Sequence, residues 1–282
     1  MKHSIKILLL LLVALGTPIG YAQNLKLMTY NIRLDLDADG ENSWTNRKDF
    51  FTCQIQFYEP DIFGVQEAKP NQIDDISQKL VQYHLVGIGR DGVGKGESSA
   101  IFYNSKRFTI TISDTFWLSE TPNEISKGWD AAFNRVCTYA LFYDKKTKTS
   151  FWVFNTHLDH VGEEARTKGI ELILSKIAAL NVKKHPVFFM GDFNSEPNTD
   201  RIIELKKAMQ DSREIAIQKP FGPSGTFNNF KHNEPVTKLI DYIFISNNNN
   251  LKVLKYAILS DAIDLKYPSD HLPVYVEISL KN

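Results

Sequence analysis

Residues 186–197 read PVFFMGDFNSEP. Five positions suited to a core run straight into Gly191, Asp192, Phe193 and Asn194, an acid and an amide two apart, before Pro197 turns the chain away. In a strand, residues i and i+2 share a face, so Asp192 and Asn194 can aim at one spot just beyond the strand end. Gly, Asp, Asn, Ser and Pro also make an ordinary Asx-type turn for local reasons. The stretch therefore marks a strand end, and the other strand ends decide whether it is a site.

Runs rich in β-branched and aromatic residues recur at 25–32, 61–67, 98–104, 116–119, 135–143, 150–157, 187–192, 239–246, 251–259 and 272–280, and each predicts a strand. Helical spacing of Ile170, Ile173, Leu174, Ile177 and Ala178 predicts a helix over 163–180. Phe50, Cys53 and Phe57 predict another over 46–58, which Pro60 stops. Shorter helices are expected over 70–82 and 197–210. Strands outnumber helices about two to one, in a mixture of hairpins and strand–helix–strand units. That pattern predicts an α/β (α+β) chain in which two packed sheets carry helices outside, with no Pro/Gly/Ser linker to divide it. The four asparagines at 247–250 read as a hairpin turn. The Gly-rich DGVGKGE (91–97) is no nucleotide P-loop, because it lacks the Lys-Ser/Thr ending and precedes a strand.

The chain has 282 residues, 43% of them hydrophobic, which suffices for one large core or two small ones. Lys2 and Lys6, an apolar run from Ile7 to Leu15 and small residues up to Ala22 have the three-part form of a secretory leader. We expect a signal peptide over 1–22, one domain over 23–282, and a secreted or periplasmic location without a membrane or protein partner. Losing Lys2 and Lys6 would tip the even balance of 33 basic and 33 acidic side chains slightly negative. Proteins that grip long duplexes through phosphates carry a basic excess, so a small phosphate ester or a short single strand fits better. The only cysteines, Cys53 and Cys137, show no metal spacing and are expected as buried thiols.

The polar ending of GDFN is repeated elsewhere. Asn31 closes the first strand run, Glu67 the second, and His157 follows a run that is apolar on both faces; Asp241 opens another strand, while Asp270 and His271 precede the last. Any one of these has a local explanation as turn former, solvated acid or core histidine. Together they predict one cleft built from the rims of two sheets. Oxygen donors such as Glu67, Asn31 and Asp270, without a thiolate or a pair of His at metal-ligand spacing, suit Mg²⁺ or Mn²⁺ rather than zinc. Two histidines beside carboxylates supply an acid and a base near neutrality. No G-x-S-x-G is present and neither Cys sits in a nucleophile setting, which leaves metal-assisted attack of water on phosphorus.

The stretches TYNIR, QE, GRDGVGKGESSAIFY, NTHLDH, GDFNSEP, IDYIF and SDHLPV, in this order, resemble the endonuclease/exonuclease/phosphatase superfamily with the DNase I-like fold. FWLSETPNEISKGWDAAFNR further resembles the branch that holds the CCR4/nocturnin-type 3′–5′ exonucleases and many secreted bacterial phosphoesterases. The resemblance implies a four-layer α/β/β/α sandwich. It implies Glu67 as holder of the divalent ion with Asn31 and Asp270 beside it, and His271, oriented by Asp241, as general base or water-positioning group. Asp192 and Asn194 would flank the attacking water and a phosphoryl oxygen. His157 would stabilise the phosphate or protonate the leaving oxygen, braced by Glu97, with Arg135 and Arg90 binding phosphate. It favours a phosphodiesterase acting on nucleic-acid or nucleotide ends. A phosphomonoesterase for sugar or inositol phosphates, and a non-catalytic binding module on the same scaffold, are the alternatives.

Overall fold

The computed structural model describes residues 24–248 and 250–280, so the leader expected over 1–22 lies outside the described residues. In chain order the elements are β1 (Leu25–Asn31), α1 (Trp44–Tyr58), β2 (Ile62–Gln66), α2 (Pro70–Lys79), β3 (Tyr83–Val86), β4 (Ile101–Asn104), β5 (Phe108–Trp117) and β6 (Val136–Asp144). There follow β7 (Ser150–His157), α3 (Glu163–Leu180), β8 (Val187–Asp192), α4 (Asp200–Ala208), β9 (Met209–Asp211), β10 (Asp241–Ser246), β11 (Leu251–Ile258) and β12 (Val274–Leu280).

Two six-stranded sheets form, in the orders β11-β12-β1-β2-β4-β3 and β5-β6-β7-β8-β10-β9. Each is built around one parallel pair, β1 with β2 and β7 with β8, and its other neighbours are antiparallel. A parallel pair needs a crossover, and here α1 and α3 supply it from the outer faces. Phe51 and Ile55 of α1 and Ile76 of α2 pack against Met28, Tyr30, Phe63 and Val65 of the first sheet. Ile170 and Ile173 of α3 and Ile202 and Leu205 of α4 join the core of the second. Full burial of each such side chain is worth about 1.5–3 kcal/mol. The result is the four-layer α/β/β/α sandwich that the resemblance implied.

Strand parity explains where the site falls. Leu25, Leu27, Thr29 and Asn31 alternate onto the face of β1 that meets the second sheet, while Met28 and Tyr30 face α1. On the facing strands the same parity gives Phe151, Val153, Asn155 and His157 in β7, and Phe188, Met190 and Asp192 in β8. Each inner row is apolar at one end and polar at the other, and all of them turn polar at the same end of the sandwich. One layer beneath that rim, Gln66 Nε2 donates to Thr29 Oγ1 at 3.0 Å and to Asn155 Oδ1 at 2.7 Å. Asn155 Nδ2 donates to the carbonyls of Val65 and Ala100 across the gap. Gly64 makes this approach possible, since a Cβ there would lie 2.6 Å from the Asn155 side chain.

Several expectations fail in instructive ways. Helix α1 does not bury Phe50, Cys53 and Phe57: Phe57 is 80% exposed, Cys53 is an exposed free thiol, and Trp44, Arg47, Phe51 and Ile55 face inward. Both stripes have helical spacing, but only the second meets Tyr30, whose ring centroid lies 5.3 Å from that of Phe51. Cys137 is buried as expected. β10 and β11, the strands on either side of 247–250, do not pair as the expected hairpin, because they belong to different sheets. Strands β3 and β9 and most of β5 were not legible as runs. β5 alternates apolar residues with Thr, Ser and Asp because much of one face is solvated.

Candidate active site

Three adjacent strands deliver one row of the site: His157, Asp192 and Asp241 are direct register partners across β7, β8 and β10. The opposite sheet ends in Asn31 paired with Gln66. Glu67 follows with a left-handed φ of 64°, which takes its carboxylate out of the strand line to accept from Asn31 Nδ2 and the Leu34 N–H, both at 3.0 Å. Asn194 also sits at a left-handed φ, 46°, a conformation Asn tolerates better than most residues. Its amide donates to His157 Nε2 and to the Leu158 carbonyl, both at 3.0 Å. Asp270 and His271 arrive on the segment before β12, whose Ser269 hydroxyl donates to the Asn31 carbonyl at 2.7 Å. Buried Arg47 staples the chains beneath by donating to the carbonyls of Ile32, Arg33 and Pro268.

The rim encloses a cleft of about 470 Å³ lined by Glu67, Arg90, Glu97, Arg135, His157, Asp192, Asn194, Asp270 and His271. Asn31 and Asp241 stand just behind it, Asn31 donating to Asp192 Oδ2 at 2.9 Å and Asp241 accepting from His271 Nδ1 at 2.8 Å. The roomier hollow of about 810 Å³ between α3 and α4 is lined by five acids but by no histidine, so it offers no acid–base pair of the kind the cleft holds.

The two histidines differ in charge. Burial alone would lower the pKa of His271, but the charges of Asp241 and Asp192 lift it to about 10, so it stands as an imidazolium at neutral pH. Burial and the nearby Arg135, His271 and Arg90 push His157 well below its ordinary value. The amide of Asn194 can only donate, so Nε2 of neutral His157 accepts and its proton sits on Nδ1. Burial and the neighbouring Asp241 raise the Asp192 carboxyl, which makes it a better proton acceptor than an ordinary aspartate. Burial, and after it the charge of Glu67, raise Asp270 against the pull of His271.

Two groupings offer ligands to a cation. Asp192, Asp241 and His271 place one donor atom each within 4.8 Å of one another. In that trio the imidazolium of His271 already offsets one of the two carboxylate charges. Glu67 and Asp270, the pair expected from sequence, face the cleft as oxygen donors whose mutual repulsion a hard cation would relieve. Asn31 sits beside Glu67 as expected: its Oδ1 accepts the Arg33 N–H at 3.0 Å and keeps a second lone pair, while its amide nitrogen joins Glu67 to Asp192. Glu97 does not brace His157. Its carboxylate pairs with Arg90 at 2.7 Å, because burial needs a cation beside it, and Asn194 takes the bracing position. Arg135 is held by buried Asp159 at 3.2 Å and donates to His160 Nδ1. His160 lines the cleft and stacks on Phe133. Phe227, Asn229 and Lys238 also line it and carried no signal in sequence, since each comes from irregular chain around 221–240.

With this geometry in place, the comparison with known proteins is specific. Residues 28–271 match the Endonuclease/Exonuclease/phosphatase family. The chain belongs to that family. Its members are hydrolases acting on phosphate esters. A family protein from Bacteroides thetaiotaomicron is 36% identical, with a TM-score of 0.86 over 91% of this chain and 98% of its own. A mannosyl-6-phosphatase of the same organism is also 36% identical, with a TM-score of 0.85 over 90% of this chain and 99% of its own. The catalytic domain of human nocturnin shares the fold at 21% identity and a TM-score of 0.71, over 92% and 95% of the two chains.

Proposed function

We propose that the protein is an exported, Mg²⁺- or Mn²⁺-dependent phosphomonoesterase that removes phosphate from a sugar-sized substrate by direct attack of water. The observation that carries the hydrolase reading is the convergence of His157, Asp192, Asp241 and His271 with Glu67 and Asp270 on one cleft. The choice of a sugar phosphate rests on the mannosyl-6-phosphatase likeness, the near-even charge and a cleft that is compact rather than a long basic track. Cleavage at nucleic-acid ends is the second reading, supported by the FWLSETPNEISKGWDAAFNR stretch.

Glu67 and Asp270 would hold the cation, which would supply Lewis-acid stabilisation of the phosphoryl group. Asp192 takes the proton of the attacking water, and Asn31 and the Asn194 N–H, at 2.9 and 2.8 Å, fix its two oxygens for that task. The imidazolium of His271, oriented by Asp241, presents Nε2 3.8 Å from Asp192 and stabilises negative charge growing between them. A phosphate dianion beside His157 opposes the burial and the cationic field that now keep it neutral, which lets it carry a proton toward the leaving oxygen.

A metal-supplemented panel of p-nitrophenyl phosphate, bis-p-nitrophenyl phosphate, inositol phosphates, mannose 6-phosphate and short single-stranded RNA and DNA tests this. We expect monoester turnover that EDTA abolishes, with H271A and D192A each losing about 10³-fold or more. Full activity in either variant would discard the mechanism, and faster hydrolysis of RNA or DNA than of any monoester would select the second reading.

A further inference from the structure

Four basic side chains other than histidine line the cleft, and three are already neutralised. Arg33 makes two contacts to Asp39 at 2.9 and 3.0 Å, Arg90 pairs with Glu97 at 2.7 Å, and Arg135 pairs with Asp159 at 3.2 Å. Lys238 is different. Among the described residues no carboxylate reaches its ammonium, which instead lies 5.3 Å from the centre of the Phe227 ring. Phe227 in turn packs edge-on against His271, with centroids 5.1 Å apart. The unpaired cation is therefore one aromatic ring away from the imidazolium at the reacting centre.

Its backbone is firmly placed. The Lys238 carbonyl accepts the N–H groups of both Thr226 and Phe227, at 2.8 and 3.0 Å. The chain passes so close to Gly225 that a Cβ there would meet the Lys238 nitrogen at 2.3 Å. Three residues later the same segment enters β10 at Asp241, the partner of His271. Lys238 is exposed at the cleft, so a fixed anchor with an ammonium that no carboxylate holds leaves that charge available to an incoming anion.

We propose that Lys238 reads substrate charge, so that the cleft selects dianionic phosphomonoesters over monoanionic diesters. This rests on the phosphoesterase reading above and adds the residue that sets its preference. At neutral pH a monoester carries about −1.5 to −2 and a diester about −1. In a half-exposed cleft, the additional charge within reach of one ammonium corresponds to about a tenfold preference.

The test compares wild type, K238Q and K238R with Mg²⁺ on p-nitrophenyl phosphate and bis-p-nitrophenyl phosphate. K238Q should lower kcat/KM for the monoester about tenfold more than for the diester, and K238R should restore most of the difference. About 0.5 M salt should narrow the gap between wild type and K238Q, since screening acts on an exposed charge. Equal losses on the two esters, or an undiminished monoester rate, overturn the inference. Calorimetric titration with inorganic phosphate and with dimethyl phosphate separates the two readings. Weaker phosphate binding by K238Q, without a matching loss for dimethyl phosphate, supports the inference even if wild type hydrolyses neither ester, an outcome that sinks the phosphoesterase reading alone. Unchanged phosphate affinity in K238Q overturns the role of Lys238 while leaving wild-type catalysis intact.

Discussion

One methyl group added at Gly64 should destabilise the protein, and it should act through Asn155. The new Cβ would stand 2.6 Å from Cγ and Oδ1 of Asn155 and 2.8 Å from Nδ2, closer than real contacts allow. Asn155 has nowhere to go, because it is tied by hydrogen bonds of 2.7, 2.9 and 3.0 Å to Gln66, Ala100 and Val65. Overpacking of a rigid interior costs about 1–3 kcal/mol, and breaking one or two of those bonds adds about 1 kcal/mol each. G64A should thus lose about 3 kcal/mol, a fall in Tm of about 6–12 °C for a chain of this size. N155A alone should lose a similar amount, about 3 kcal/mol, for its three hydrogen bonds. In the N155A background the clash is gone, so G64A should there cost less than about 1 kcal/mol and the cycle should show about 2 kcal/mol of coupling. Urea and thermal unfolding of the four proteins measure this directly. Additive losses, to within about 0.5 kcal/mol, would refute the claim that Gly64 exists to admit Asn155.

Further predictions concern the site itself. Because folding raises His271 from its ordinary 6.5 to about 10, its charge contributes stability that is fully present below pH 6.5 and is lost as pH rises through about 10. D241N should flatten that decline when Tm is followed across the window in EDTA, and an unchanged profile would contradict the pairing. N194A removes the donor to His157 and puts Ala at a left-handed φ, so we expect about a 10²-fold loss of kcat and about 1–2 kcal/mol of stability. A loss confined to KM would show that Asn194 only binds substrate. Added Mg²⁺ should raise the Tm of wild type but not of E67Q or D270N, by about 3 kcal/mol of linkage at a hundredfold excess over Kd. An equal shift in all three would move the cation site to Asp192, Asp241 and His271.

The sequence by itself determined which segments are strands where both faces are buried, as at 150–157 and 187–192, whose bounds match β7 and β8. It also determined the polar residues that close those strands, because period-2 alternation and residue chemistry are local properties. Where one face is solvated the pattern faded, as in β5, and where two faces of a helix were both apolar enough, as in α1, spacing could not choose between them. Tertiary structure alone decided the register that sets His157, Asp192 and Asp241 abreast, the replacement of Glu97 by Asn194 beside His157, and the arrival of Lys238 and Phe227 from irregular chain. These depend on which groups meet across distances of tens to hundreds of residues. Burial then forces each polar group to take whatever partner the packing brings within reach, and no local rule contains that choice.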